Sequence, residues 1–182
     1  MTQQTQHTQL ACRCGSVELA LDKAPILSAE CHCTSCRTAG EALQALPGMQ
    51  PLLEPNGGTG FVLYRKDRIQ FVKGAALLKE HRLTTRSKTR RVVASCCNTP
   101  VFLEFESGHW LSLYSRLWPE QARPAIELRT MTMDRTDTSA LANDVPNAKR
   151  QSLSFFAKLL RAWVAMGFRV PKIPVGNVPL VA

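Results

Sequence analysis

Cys31-His32-Cys33-Thr34-Ser35-Cys36 puts three thiols within six residues. A tight turn with this spacing aims all three sulfurs at one point. Three thiolates around one Zn²⁺ leave the fourth tetrahedral position open to water or to a ligand sulfur. Ordinary buried cysteines scatter along a chain instead of clustering in this way. Cys12-Arg13-Cys14-Gly15 supplies two more thiols and a glycine that frees the backbone to turn, which makes half a metal site. Ser95-Cys96-Cys97-Asn98-Thr99-Pro100 holds the last two. A disulfide between neighbours Cys96 and Cys97 would be strained and rare. The pair is therefore expected to complete the site begun by Cys12 and Cys14. Thiols from two distant segments would then clamp the sheet, as closed structural zinc sites do.

The elements that must carry these thiols read mainly as strands. Val17, Leu19 and Leu21 alternate with Glu18 and Ala20, the period of a half-buried strand, which Pro25 ends. A second short strand over 26–30 delivers the chain into the three-cysteine turn. Residues 41–46 suit one or two helical turns. The span 47–60, with three Pro and four Gly, reads as a loop, either the lid or wall of a site or a passive connection. Strands follow over 61–65, 68–73, 76–84, 89–95, 101–105, 109–114 and 125–133. Lys79, Arg82, Arg86, Lys88, Arg90 and Arg91 crowd one hairpin, which could hold phosphates or substrate carboxylates but reads more simply as a solvated face. No aromatic interleaves them, so the stacking half of a single-strand nucleic-acid site is missing. His81 and His109 stay unassigned, because a lone strand histidine is more often exposed or hydrogen-bonded than a ligand.

At 182 residues, 45% of them hydrophobic and 20% charged, the chain suits one soluble domain with a full core. Residues 1–9 read as a disordered polar tail with no secretory signal, 10–133 as the zinc-binding β domain and 134–150 as a polar linker. The span 151–182 reads as an amphipathic helix followed by an extended Pro-containing arm. That helix is apolar apart from a narrow stripe of Ser154, Lys158 and Arg161. It is expected to dock on the β domain, with homodimer pairing or a membrane surface as the alternatives. A cytoplasmic protein is expected, where cysteines bind metal more often than they pair. The net charge of +9 points to an anionic partner. Seven thiolates on two Zn²⁺ would lower it to about +6, which weakens that signal.

Taken in order, Cys12-Arg13-Cys14-Gly15, then Cys31-His32-Cys33-Thr34-Ser35-Cys36-Arg37, then Cys97-Asn98-Thr99-Pro100, the chain resembles the glutathione-dependent formaldehyde-activating enzyme family. That family includes the centromere protein V-like proteins, and the resemblance covers about residues 10–115. It implies a mainly β fold, an Mss4-like β-tent of small antiparallel sheets around zinc. The C-terminal helix has no counterpart in the enzyme. It also implies two zinc ions, one structural and one open. Cys12, Cys14 and Cys97 correspond to the closed site, and Cys31, Cys33 and Cys36 to the open, catalytic one, where the glutathione sulfur binds. Two positions depart: the late motif of the family would have a Cys where Ala94 stands, and a Gly where Asn98 stands. Cys96 is the obvious substitute ligand. It could equally face the second site or stand free.

Two functions follow as expectations. In one, the protein is a carbon–sulfur lyase that makes or breaks the adduct of glutathione with formaldehyde. Zinc lowers the pKa of a bound thiol, and a thiolate beside a carbonyl adds to it. In the other, both metals are structural and the basic surface or the C-terminal helix meets a partner. DNA binding is a third and weaker reading, which would need a steep salt dependence.

Overall fold

The computed structural model describes residues 7–139 and 141–180. The strands run β1 His7–Ala11, β2 Glu18–Asp22, β3 Leu27–Cys31, β4 Thr59–Arg65 and β5 Ile69–Lys73. They continue as β6 Leu78–His81, β7 Thr89–Ala94, β8 Thr99–Phe105, β9 Trp110–Tyr114 and β10 Leu128–Thr130. The described residues hold two α-helices, α1 Thr34–Gln44 and α2 Leu153–Val164. Strands β1-β2-β5 form a three-stranded antiparallel sheet, and the other seven form a sheet in the order β10-β3-β4-β9-β8-β7-β6. Among the described strand–strand pairings only the short β10, against β3, is parallel. The protein is thus mainly β, with a C-terminal helix.

The larger sheet is buried on both faces at its centre, which is why its strands read as continuous apolar runs. Neighbouring residues point to opposite sides. Val62, Val92 and Leu113 join the core shared with the small sheet, beside Leu19, Leu21 and Trp118. Leu63, Val93 and Tyr114 join the core beneath the helices, beside Leu43, Phe155 and Leu159. The layers are therefore small sheet, large sheet and helices.

Several elements differ from the sequence expectation, each for a physical reason. Residues 7–9 of the expected tail belong to β1, whose backbone pairs with β2 along its whole length while its polar side chains stay largely outside. The helix expected at 41–46 begins at Thr34, so the three-cysteine turn runs straight into its first turn. The Cys33 sulfur sits where a capping oxygen usually does and accepts from the Cys36 N–H at 3.3 Å. Cys36, Ala39, Gly40 and Leu43 then bury one helical stripe. The span 134–150, expected as a linker, runs against β10: Arg129 N–H donates to Pro146 O and Ala148 N–H to Arg129 O, both at 2.9 Å. It also buries Leu141. Its polar composition hid this docking, which is carried by backbone bonds.

The C-terminal segments close the molecule. Ser152 caps α2, accepting from the Phe155 N–H at 3.2 Å. Phe155 and Leu159 face the second core, each burial contributing about 1.5–3 kcal/mol. His109 donates from Nε2 to Leu159 O at 3.0 Å and stacks on Trp163 at an interplanar angle of 7°. The arm beyond α2 covers the free edge of β6, with Glu80 N–H donating to Val178 O and Leu180 N–H to Glu80 O, both at 2.8 Å. Val175 lies in the first core. Among the described residues no helix is long and apolar enough to cross a membrane.

Candidate metal centres

The fold gathers the seven cysteines into two clusters and leaves every thiol free of disulfides. In the first, the sulfurs of Cys12, Cys14, Cys96 and Cys97 all lie within 4.8 Å of one another. Cys12 and Cys14 leave β1 through a turn closed by the Gly15 N–H to Cys12 O bond of 2.9 Å, with Gly15 at φ +73°. Cys96 and Cys97 occupy the β7–β8 turn, where Cys97 N–H donates to Ala94 O at 3.2 Å. Asn98 ends that turn at φ +58°, adopting the left-handed conformation the position demands. Cys96 is the fourth member of this cluster and does not face the other one: its sulfur is 3.8 Å from Cys12, 3.4 Å from Cys14 and 3.9 Å from its neighbour Cys97. Four thiolates on a tetrahedral ion, with bonds near 2.3 Å, stand about 3.8 Å apart. The donor set and its spacing therefore fit one soft metal ion, closed on all sides by sulfur.

The second cluster holds Cys31 from the end of β3, Cys33 from the cap of α1 and Cys36 from its first turn, again within 4.8 Å. Among the described residues no fourth Cys, His, Asp or Glu joins it. Hydrogen bonds from Cys31 and Cys36, with the charge of Arg91 adding to them, draw the Cys33 thiol down to about 3. Cys31 is pushed up to about 12, first by its hydrogen bond to Cys33, and Cys36 is raised for the same kind of reason. Three thiols sharing protons this closely are ready to exchange them for a cation. In the four-sulfur cluster, hydrogen bonds from Ser16 lower Cys14 to about 6, while burial first and then Cys14 raise Cys96.

Two sets of side chains hold the three-sulfur cluster, and the sequence showed neither. Arg91, one of the hairpin charges expected on a solvated face, is 1% exposed. Its Nη2 donates to Ser35 O at 2.9 Å and to Ser35 Oγ at 2.8 Å, inside the first turn of α1. Its Nη1 has no hydrogen-bond partner among the described residues. A buried cation beside three thiols offsets the charge they carry once ionised. The clue was present in β7, where Arg91 lies one residue before the buried pair Val92 and Val93, but periodicity does not show which face has room for a guanidinium.

The second set surrounds His32, which is fully buried between Cys31 and Cys33. Glu30 accepts from His32 Nε2 at 2.8 Å, Asn56 Nδ2 at 2.7 Å and Arg129 Nε at 3.1 Å. Burial alone would raise the Glu30 carboxyl, but these hydrogen bonds and the Arg129 charge hold it below the usual range. Arg135 Nη1 lies 3.3 Å from His32 Nδ1 and can only donate, so Nδ1 accepts and Nε2–H faces Glu30. A Cβ on Gly58 would stand 2.6 Å from Glu30 and 2.8 Å from His32, so only glycine lets the loop approach. This network ties β3, the 47–60 loop and the 134–150 segment to the strand end that presents Cys31. His81 and His109 join neither cluster.

A cavity of about 350 Å³ opens beside the three-sulfur cluster, lined by Cys31 and Cys36 at one end and by Phe155, Phe156 and Leu159 of α2. The larger cleft, about 740 Å³, is lined by residues of the 47–60 loop with Arg13, Arg116 and Arg123 and contains no cysteine. The loop thus walls a different cleft, not the thiol cavity. The hairpin cations Arg82, Arg86, Lys88 and Arg90 line a third cleft, which meets the thiol cavity only at Glu106 and Ser107.

Residues 7–51 match the model of the glutathione-dependent formaldehyde-activating enzyme family. The matched segment runs from β1 through α1 and so contains Cys12, Cys14, Cys31, Cys33 and Cys36, whereas Cys96 and Cys97 lie beyond it. The resemblance read from the cysteine spacing to this formaldehyde-activating family therefore stands. A crystal structure of a Rhodobacter sphaeroides protein aligns at 16% identity and a TM-score of 0.44, covering 65% of this chain and 97% of that one. No curated protein matches the chain.

Proposed function

We propose that each cluster binds one zinc ion and that the three-sulfur centre works with a thiol of the glutathione type. The protein is then a carbon–sulfur lyase that makes and breaks the adduct between that thiol and a carbonyl compound. The observation that carries this reading is the unequal donor count: four sulfurs in one cluster, three in the other, with no fourth protein ligand among the described residues. A closed tetrahedral set is structural, whereas an incomplete one keeps a place for substrate. When bound, zinc at the open site would supply a Lewis acid that keeps a thiol ionised at neutral pH.

The rest is done by the chain. Cys31, Cys33 and Cys36 fix the centre at the junction of β3 and α1, where backbone and cap leave them little freedom. Arg91 counters the negative charge gathered there, and the His32–Glu30–Arg129 network keeps the strand end in place. Phe155 and Leu159 give the adjoining cavity an apolar side, which disfavours water beside the attacking thiolate. Adduct formation moves the sulfur lone pair to the carbonyl carbon and the π pair to oxygen, which takes the proton the thiol gave up. Breakdown is the reverse.

The test is exchange NMR on glutathione and formaldehyde at neutral pH, with catalytic protein. Wild type should speed interconversion of adduct and free thiol, and Cys33→Ser should not. If wild type neither speeds exchange nor binds thiol, the lyase reading falls. One observation favours a binding module in that event: Leu153, Phe156, Leu160 and Val164 form an exposed apolar stripe on α2.

A further inference from the structure

The cavity beside the three-sulfur centre is built for something other than the two molecules just named. Leu63, Leu103, Phe105 and Trp110 rise from the sheet, and Phe155 with Leu159 closes the helix side. Among the described residues the lining contains no lysine, arginine or histidine, and its one charged residue is the carboxylate Glu106. The body of glutathione carries two carboxylates and an ammonium group, and none of the carboxylates would find a partner there. Removing such charges from water without partners is costly. A one-carbon carbonyl has the opposite defect, since it would leave most of about 350 Å³ unfilled. Mostly apolar walls around a cavity of this size suit an uncharged carbon group. The helix side of the wall is supplied by α2, which lies outside the segment matched by the family model.

We infer that the substrate carries an uncharged alkyl or aryl group next to its reacting sulfur and that α2 selects it. This rests on the thiol-centre reading above. The group can belong to either half of the adduct: to an apolar thiol, or to an apolar aldehyde joined to a charged thiol that stays outside the cavity. In either case the covalent step is the addition already described, thiolate to carbonyl carbon and proton to oxygen, with no change of oxidation state.

Calorimetry on the purified, metal-bearing protein separates the outcomes. The probes are glutathione, methanethiol, hexanethiol, S-methylglutathione and S-hexylglutathione, the last two being unreactive mimics of the adduct. In one series or the other, the hexyl ligand should bind at least tenfold tighter than its methyl analogue. Each added methylene is expected to give up to about fourfold until the cavity fills. A gain in the simple thiols assigns the group to the thiol half, and a gain in the S-alkyl glutathiones assigns it to the aldehyde half. Phe156→Ala should remove most of the gain, and because that ring is half-exposed the fold does not depend on it. Equal binding of hexyl and methyl ligands in both series, with glutathione still bound, would overturn the inference and leave the thiol centre standing. Failure of glutathione and of every simple thiol to bind would overturn the thiol centre itself.

Discussion

The two thiol clusters occupy opposite faces of one sheet, and their surroundings differ as much as their ligand counts. Cys12 and Cys97 belong to the core between the small and large sheets, and their cluster joins two turns 80 or more residues apart. Cys36 belongs to the core beneath the helices, and its cluster is local, drawn from the single strand–helix junction at 31–36. A metal in the first closes a long loop and so acts on the whole fold. A metal in the second closes almost none. What surrounds the second is instead a buried guanidinium, a histidine–carboxylate–arginine network and a cavity. One centre is placed to hold the fold together, and the other is itself held in place.

The sharpest way to break this contrast is to remove one sulfur from each side. Cys97→Ser should lose one metal equivalent and more than about 5 kcal/mol of stability, because metal binding at such sites is folding energy. Urea denaturation with metal analysis would show it as gross unfolding. Cys33→Ser should also lose one equivalent but less than about 2 kcal/mol, since serine can still cap α1 and no long loop opens. Equal destabilisation by the two variants would erase the distinction.

Arg91→Met sharpens the comparison in the other direction. It removes the buried charge beside Cys33 and the two bonds to Ser35. Metal affinity at the three-sulfur centre should fall about 10- to 100-fold while the four-sulfur centre keeps its metal, as competition with a chelator would report. The smallest expected effect is on α2. Burial lowers the pKa of His109, outweighing its bond to Leu159 O, so the folded state disfavours its protonation. Its contribution is then complete above the unfolded value of about 6.5 and is lost as pH falls through the folded value. Between pH 7 and 5, α2 should loosen and Trp163 fluorescence should change, before either metal is released.

What could be read from the sequence divides along the same line. Both clusters were legible, because sulfur ligands held by turns must be close in sequence or sit beside a turn residue, as with Gly15 and Asn98. The strands were legible too: β2 keeps the period-two alternation of a half-buried strand, and the central strands of the large sheet are short apolar runs between turn residues. The intramolecular docking of α2 agrees with expectation. Arg91 was not legible: its neighbours Arg86 and Lys88 are surface charges on the same hairpin, and only the pairing of β7 between β6 and β8 turns Arg91 toward Ser35. The 134–150 segment was missed because it docks through backbone hydrogen bonds, which leave no hydrophobic pattern. The cavity was missed because its walls come from β3, β4, β8, β9 and α2, and a linear pattern shows each face without showing what it meets.

The most direct test is zinc content and zinc-edge X-ray absorption on the purified chain, before and after adding a thiol. The predicted result is two zinc ions per chain with about 3.5 sulfurs per zinc on average, rising to 4 when the thiol binds. A chain with no zinc, or two zincs whose sulfur count does not change on adding thiol, would contradict it.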